Sequence, residues 1–401
     1  MTISTLSFQM SAVSQMDALS QALSKTQTEL STGLALQNAA DNPVAMAQVN
    51  ELNVQLSASQ QYVTNGNLAG TNLKLEAQAL TDATNLLQSA RDVALQANNS
   101  SLNASDRQAL ATQLEQQLQQ LVAIANRQDS AGNYLFSGYA AGTQPFAQSG
   151  NSVSYSGANE VSQVQISAEQ RISAGDAGSS VFMNIPAGNG TFTTSAAGSN
   201  TGGASIGAGT VTDPSQWAPG TASYTITFSS STQYQITDSS GAPVTSGTLS
   251  GTPGAPNTIS FKGIQLDLSG TPNAGDSFTV APAGTASVFS TVSGLISTLS
   301  STTLNAAQIA TQINQGLEQI DGAMNHIDNT QASVGARVNA VTASQTTAQS
   351  EQTAYQAQVA QLSNTDYAQA TTQLSTEELA LQAAQESYAS MEKLSLFNYV
   401  S

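Results

Sequence analysis

Ile313, Leu317, Ile320, Met324, Ile327, Val334, Val338 and Val341, resumed by Tyr355, Val359 and Leu362, fall at alternating steps of four and three. Gln331, Gln345, Ala348 and Gln352 fill the remaining positions of the same ladder. A 3.5-residue repeat held this long keeps one narrow seam facing a partner helix, which is the coiled-coil pattern. Beyond Leu362 the phase slips and resumes through Tyr367, Ala370, Leu374, Leu381, Ala384, Tyr388 and Met391. No proline follows Pro282. Helical throughout, residues 305–401 would span on the order of 130 Å. The expectation is a rod, and a rod needs something to lie against.

The chain before the rod supplies candidates. Met16, Leu19, Leu23 and Leu30, with Ala12, Thr26 and Gly33, follow the same four-three spacing near the N-terminus. Gly33 weakens that helix, and Asp41-Asn42-Pro43 reads as the capped start of the next. A second helix is expected from about Pro43 to Asn98. A third should open at a capping box of Ser105 with Gln108 and stop near Ser130-Ala131-Gly132. Four anchors on residues 5–33 offer about 1.5–3 kcal/mol each when buried. Ordering some 29 residues costs roughly 1.5 kcal/mol apiece. The end helices should therefore fold only with neighbours around them.

From about Tyr134 the pattern changes to short apolar runs between Gly, Ser, Thr and Pro. Expected strands are Tyr134 to Phe136, Val161 to Ile166, Val181-Phe182, Tyr224 to Phe228, Tyr234 to Thr237, Ile259 to Leu268 and Ser277 to Val280. Residues 188–209 read as a low-complexity loop. Ser287 to Ser300 reads as a short amphipathic helix. The plan is α+β: a long coiled-coil shaft built from both chain ends, with an inserted β-rich domain. It divides into an N-terminal assembly helix (1–42), the shaft's N-terminal arm (43–137), the β-rich outer domain (138–284), the C-terminal arm (285–362) and a C-terminal assembly helix (363–401).

Composition narrows the function. Charged residues make up 9% of the chain, against about 25% in ordinary soluble domains. Nine Lys and Arg against 26 Asp and Glu leave a net charge of −17. The basic residues are scattered, which argues against nucleic acid and anionic membrane as partners. Absence of cysteine excludes disulfides and thiolate metal sites. No apolar run is long enough to span a membrane. Met1-Thr2-Ile3-Ser4-Thr5-Leu6 carries neither a basic nor an apolar leader region, so export without a cleaved signal is expected.

Catalytic constellations are missing. The single histidine, His326, sits beside the seam and reads as a surface or interface residue. There is no HExxH or Walker A motif. Asp213, Asp238, Asp267 and Asp276 lie near turn residues and match no EF-hand spacing. Glu377-Glu378 reads as a solvated helix face. Neither enzyme nor cofactor is expected.

Leu30-Ser31-Thr32-Gly33-Leu34, followed by Asn38-Ala39-Ala40-Asp41-Asn42-Pro43, resembles the N-terminal signature of bacterial flagellins. Asn42-Pro43-Val44 is similar to the hook-associated branch of that superfamily. Gly132 to Gly138, Asn364-Thr365-Asp366-Tyr367-Ala368 and the ending Lys393-Leu394-Ser395-Leu396-Phe397-Asn398-Tyr399 are similar to the same branch. The resemblance covers about 1–150 and 285–401. It implies a structural subunit joining hook to filament, exported unfolded through the flagellar type III apparatus and assembling with copies of itself in a ring. It also implies hook-associated protein 1 on the hook side, flagellin on the filament side, and a cytosolic export chaperone over Leu374 to Phe397. Its assembly surface is expected at Met16, Leu19, Leu23, Leu30, Leu374, Leu381, Tyr388, Met391, Leu394 and Phe397. Its motif positions here are Leu30, Ser31, Gly33, Asn38, Ala40, Asp41, Pro43, Asp366 and Tyr367. A filament flagellin, and a surface adhesin or type III translocator with a coiled-coil stalk, are the alternatives.

Overall fold

The computed structural model describes residues 2–99, 101–217, 223–250 and 257–400, with side chains from 7 to 391 within those ranges. Its helices are α1 (Thr2–Thr32), α2 (Pro43–Ala97), α3 (Ala104–Ala125), α4 (Val288–Ser300), α5 (Ala306–Ser363) and α6 (Tyr367–Val400). The fold is α+β, with helices from both chain ends and a β-rich middle. It divides into two compact units, 1–64 with 345–401, and 65–344.

In the first unit α1 packs along α6. The expected continuous rod is broken, because α5 ends at Ser363 and α6 starts at Tyr367. The break falls where the heptad phase slips, and Asp366 takes over as cap. Its Oδ1 accepts from Ala368 N at 2.9 Å and Gln369 N at 3.2 Å. A small core of Leu36, Ala45 and Val49 closes on Val359 and Leu362.

The second unit is built on a helical core. Leu73, Leu80 and Leu87 of α2 and Leu114, Leu118 and Leu121 of α3 are buried with Val292 and Leu295 of α4. From α5 the seam residues Ile313, Ile320, Ile327, Val334 and Val341 join them, and Leu317, Met324 and Val338 pack at its margin. The four-three ladder is thus partly spent inside the chain. An aromatic cluster extends this core, with Phe146 lying 5.0 Å from Phe289 and Phe136 5.0 Å from Phe182 between ring centroids.

Strands β1 (Phe146–Ser149) with β2 (Ser152–Tyr155), and β3 (Gln163–Gln165) with β4 (Arg171–Ser173), form small hairpins beside the helices. Beyond β5 (Ile185–Pro186), the strands β6 (Phe192–Ala196), β7 (Ser205–Ile206), β8 (Thr210–Val211), β9 (Tyr224–Phe228), β10 (Gln233–Asp238), β11 (Pro243–Thr248), β12 (Asn257–Phe261), β13 (Ile264–Ser269) and β14 (Ser277–Pro282) form two sheets. One is antiparallel in the order β11-β10-β9-β14-β6; in the other β12, β13 and β7 are neighbours, and β8 also pairs with β13. Strand β15 (Thr285–Ala286) pairs with β5. The sheets share a core that includes Ile226, Phe228, Ile236, Ile259, Leu266, Phe278 and Val280.

Four local expectations are corrected. Tyr134 to Phe136 is not a strand. Tyr134 N donates to Ala141 O and Leu135 N to Arg127 O, both at 2.9 Å, so the segment is a turn that anchors buried Phe136. Val181-Phe182 lies in a short π-helix, Ser179–Met183, because both side chains face the aromatic cluster. Ile259 to Leu268 is a hairpin. Lys262 (φ 49°) and Gly263 (φ 72°) make the left-handed two-residue turn between paired Phe261 and Ile264. Residues 188–209 contain β6 and β7, whose Phe192, Thr194 and Ile206 are buried.

The third helix also starts differently. Asn103, not Ser105, is its cap. Asn103 Oδ1 accepts from Asp106 N at 3.0 Å and Asp106 Oδ2 accepts from Asn103 N at 3.4 Å. The same box recurs at Ser287 with Ser290 on α4. At the start of α5, Asn305 and Gln308 bond each other reciprocally, at 2.8 and 2.9 Å. Side-chain amides of Asn305 and of α5 then fasten the β-rich region between β5 and β7. Asn305 and Gln308 donate to Asn200 O and Gly198 O, Gln315 to Thr194 O, and Gln319 to Pro186 O.

Candidate assembly site

The first unit carries the residues singled out at both chain ends. On α1, Met16, Leu19, Leu23 and Leu30 are half-buried; on α6, so are Leu374, Leu381, Tyr388 and Met391. Their spacing puts each set on one face, and the helices that carry them pack on each other. Leu394 and Phe397 lie outside the described residues.

The seam holds a polar contact at its centre. Thr26 is buried, and its Oγ1 donates to Glu377 Oε2 at 2.8 Å. Glu377 therefore does not belong to the solvated face expected of it. It stands between Leu374 and Leu381 in the heptad, while Glu378 is exposed. A lone hydrogen-bonded pair in an apolar seam disfavours other registers, because a slip strands both groups.

Where the helices break, the two chain ends are stitched by backbone. Ala35 N donates to Ser363 O at 2.8 Å and Thr365 N to Gly33 O at 2.9 Å. Gly33 takes φ 73°, and a Cβ there would stand 2.9 Å from Tyr367 Oη. Glycine is required twice over, for the left-handed turn and for the tyrosine. Asp41 gathers the loop on the other side. Its Oδ2 accepts from Gln37 N and Asn38 N, and its Oδ1 meets Lys25 Nζ at 2.9 Å. The Lys25 ammonium holds the Asp41 carboxyl below the usual carboxylate range, and Lys25 is raised in return. Asn42 Oδ1 caps α2 at Ala45 N, with Pro43 at the first helical position.

Leu30, Gly33, Asp41, Pro43, Asp366 and Tyr367 thus surround one double break. Ser31, Asn38 and Ala40 lie exposed on its rim. The turn aspartates elsewhere do local work. Asp213 and Asp238 accept from backbone within their own turns, Asp276 binds Thr201 N and Gly202 N, and Asp267 lies in β13. His326 Nε2 is 2.7 Å from Ser180 O. Among the described residues no three His, Cys, Asp or Glu converge on a metal site.

Comparison with known proteins agrees with this arrangement. The bacterial flagellin N-terminal helical region matches residues 3–141, and its C-terminal helical region matches 317–400. Flagellar hook-associated protein-3 from Legionella pneumophila is 31% identical, with a TM-score of 0.72 over 78% of this chain and 98% of that one. This chain belongs to the flagellar hook-associated protein 3 family.

Another Legionella pneumophila structure, of the flagellar junction protein FlgL, is 30% identical and superposes with a TM-score of 0.69. It covers 79% of this chain and 100% of its own. Flagellar hook-associated protein 3 of Escherichia coli K12 is 31% identical over 157 residues, so the match spans 49% of that relative and 39% of this chain. Residues 195–282 match the D2-like domain of flagellar hook-associated protein 1. Sequence reading found no motif there, since a β core of single alternating residues carries none. Sequence reading also missed the cross-element ion pairs of the second unit, Arg91–Asp321, Arg127–Asp82 and Arg337–Asp176. Pairs so far apart in the chain leave no local signal.

Proposed function

We propose that this chain is the subunit that joins the flagellar hook to the filament, assembling with copies of itself in a ring through its terminal helices. The observation that carries the reading is the stitched double break, with Gly33 and Tyr367 from opposite chain ends packed together beside the α1–α6 seam. The chain's similarity to the flagellar junction protein of Legionella pneumophila supports it. The function is structural, without catalysis. Hook-associated protein 1 is the partner on the hook side and flagellin on the filament side. Export proceeds unfolded, with a chaperone over Leu374 to Phe397, to a final place outside the cell.

The seam residues Met16, Leu19, Leu23, Leu30, Leu374, Leu381, Tyr388 and Met391 join α1 to α6 in this reading and so prepare the surface that copies share. Leu394 and Phe397 extend it. Large apolar side chains remain outside that seam, Met10 at 67% exposure and Leu379 at 69% among them. Neighbouring subunits bury these. The filament subunit is the second reading, favoured by the flagellin helical regions matched at both ends.

Deleting the gene and assaying the medium separates the two. Bare hooks with abundant unpolymerised flagellin in the medium are expected. Bare hooks without secreted flagellin would make the chain the filament subunit, and normal filaments would overturn both readings.

A further inference from the structure

Glu76, on α2, is a buried carboxyl group that faces the Asp176 carboxyl, with the Arg337 guanidinium nearby. It is 1% exposed, and neither oxygen has a hydrogen-bond partner. Beside it lies a cavity of about 150 Å³, walled by α2, the 129–141 turns and the chain around Gly175. Leu135 O reaches the same space. A Cβ built on Gly175 would stand 3.6 Å from Glu76 Oε2 and 3.6 Å from Leu135 O. The two acceptors therefore share one gap, and it is open because residue 175 has no side chain.

The other groups around the gap are already engaged. Asp176 is held by the Arg337 guanidinium, which also donates to Ser173 O and Gly175 O. Asp129 accepts from Ala131 N and Asn133 N, at 2.8 and 2.9 Å. With Glu76 ionised, three carboxylates face one guanidinium. Arg337 Nε is itself buried without a partner, but one cation does not balance three carboxylates, and a second positively charged donor would reduce the excess. A metal ion is not served, since no three ligating side chains converge among the described residues. A primary ammonium carries three N–H donors on a compact charge.

We propose that the cavity beside Glu76 binds a primary ammonium group, held between the Glu76 carboxylate and Leu135 O above Gly175. With the cavity empty, burial, and then the neighbouring Asp176, push the Glu76 carboxyl up to about 9, so it keeps its proton. An entering ammonium keeps its three protons, and the Glu76 proton leaves to solvent. Occupancy therefore strengthens as pH rises toward 9. Arg337 stays with Asp176, and Asp129 and Tyr134 border the mouth. The ammonium comes either from a lysine of a neighbouring copy or from a free amine.

The test titrates the full chain with 1-butylammonium at pH 8, by calorimetry in two buffers of different ionisation heat. Saturable binding at one site with release of close to one proton is expected. Tetramethylammonium, which has no N–H, should not bind. Glu76→Gln keeps the shape of the neutral acid, and Gly175→Ala meets only ordinary contacts while filling the gap. Each should weaken binding at least tenfold without unfolding the chain. No saturable binding to the wild-type chain, or equal binding to Glu76→Gln, would overturn the assignment. Slowed self-assembly in saturating butylammonium would identify the lysine of a neighbour as the source. Unchanged assembly would identify a free amine.

Discussion

Replacing Glu76 by Gln should stabilise the second unit, by an amount that depends on pH in a defined way. The Glu76 carboxyl titrates near 4.5 in the unfolded chain and near 9 when folded. Below about pH 4.5 both states hold the proton, and the group makes no pH-dependent difference. Between 4.5 and 9 the unfolded carboxyl is ionised while the folded one is not. Each pH unit in that window removes about 1.4 kcal/mol of stability. Above about 9 both are ionised and the loss stays constant. At pH 7 the shift amounts to about 3 kcal/mol, a ceiling because relaxation around a buried charge lowers it. Glutamine cannot ionise, so Glu76→Gln should match wild type near pH 4.5 and exceed it by about 1–3 kcal/mol at pH 7. Urea unfolding followed by far-ultraviolet circular dichroism, at half-unit steps from pH 4.5 to 9, measures the difference. A gap that stays flat across that window, or a variant less stable throughout, would refute the reasoning.

Three further outcomes follow from the first unit. Gly33→Ala should cost about 1–2 kcal/mol, through its left-handed φ and the clash with Tyr367 Oη. Adding Tyr367→Phe should restore part of that loss in thermal unfolding. Asp41, with its lowered pKa, contributes stability above about 3.8, its ordinary value, and loses that contribution as pH falls through its folded value. Protection factors for hydrogen exchange at Gln37 N and Asn38 N, corrected for the intrinsic rate at each pH, should fall in acid for wild type and already at neutral pH for Asp41→Asn. Leu23→Asp or Leu381→Asp should abolish incorporation into flagella while residues 65–344 stay folded by limited proteolysis. Wild-type incorporation of either variant would contradict the seam assignment.

The helical arms were legible because their signal is periodic. Ile313 to Val341 repeats over several turns, and the slip after Leu362 marked the place where α5 ends. The Gly33 and Asp41-Asn42-Pro43 break was equally legible, since glycine and proline act on the backbone whatever surrounds them. What escaped depends on distant partners. Tyr134 to Phe136 looks like a strand until Arg127 and Ala141 take its backbone donors. Glu377 looks solvated until Thr26, 351 residues away in the chain, reaches it. Glu76 sits in an ordinary helical stretch, and only the fold brings Asp176 and Arg337 beside it. The hairpin at Lys262-Gly263 was readable, since a glycine in the second turn position is a hairpin signal, but the apolar residues on both sides merged into one run.

The amides of Asn305, Gln308, Gln315 and Gln319 grip the β-rich region by the peptide carbonyls of Asn200, Gly198, Thr194 and Pro186 rather than by side chains. Every residue type has such a carbonyl, so the grip is blind to the identity of what it holds. At Gly198 even an added Cβ would meet open space. The outer sheets can therefore change their surface residues, and with them their exposed chemistry, without renegotiating their attachment. Variation is permitted on one side of the joint, and the demand for amide side chains falls on Asn305 and α5.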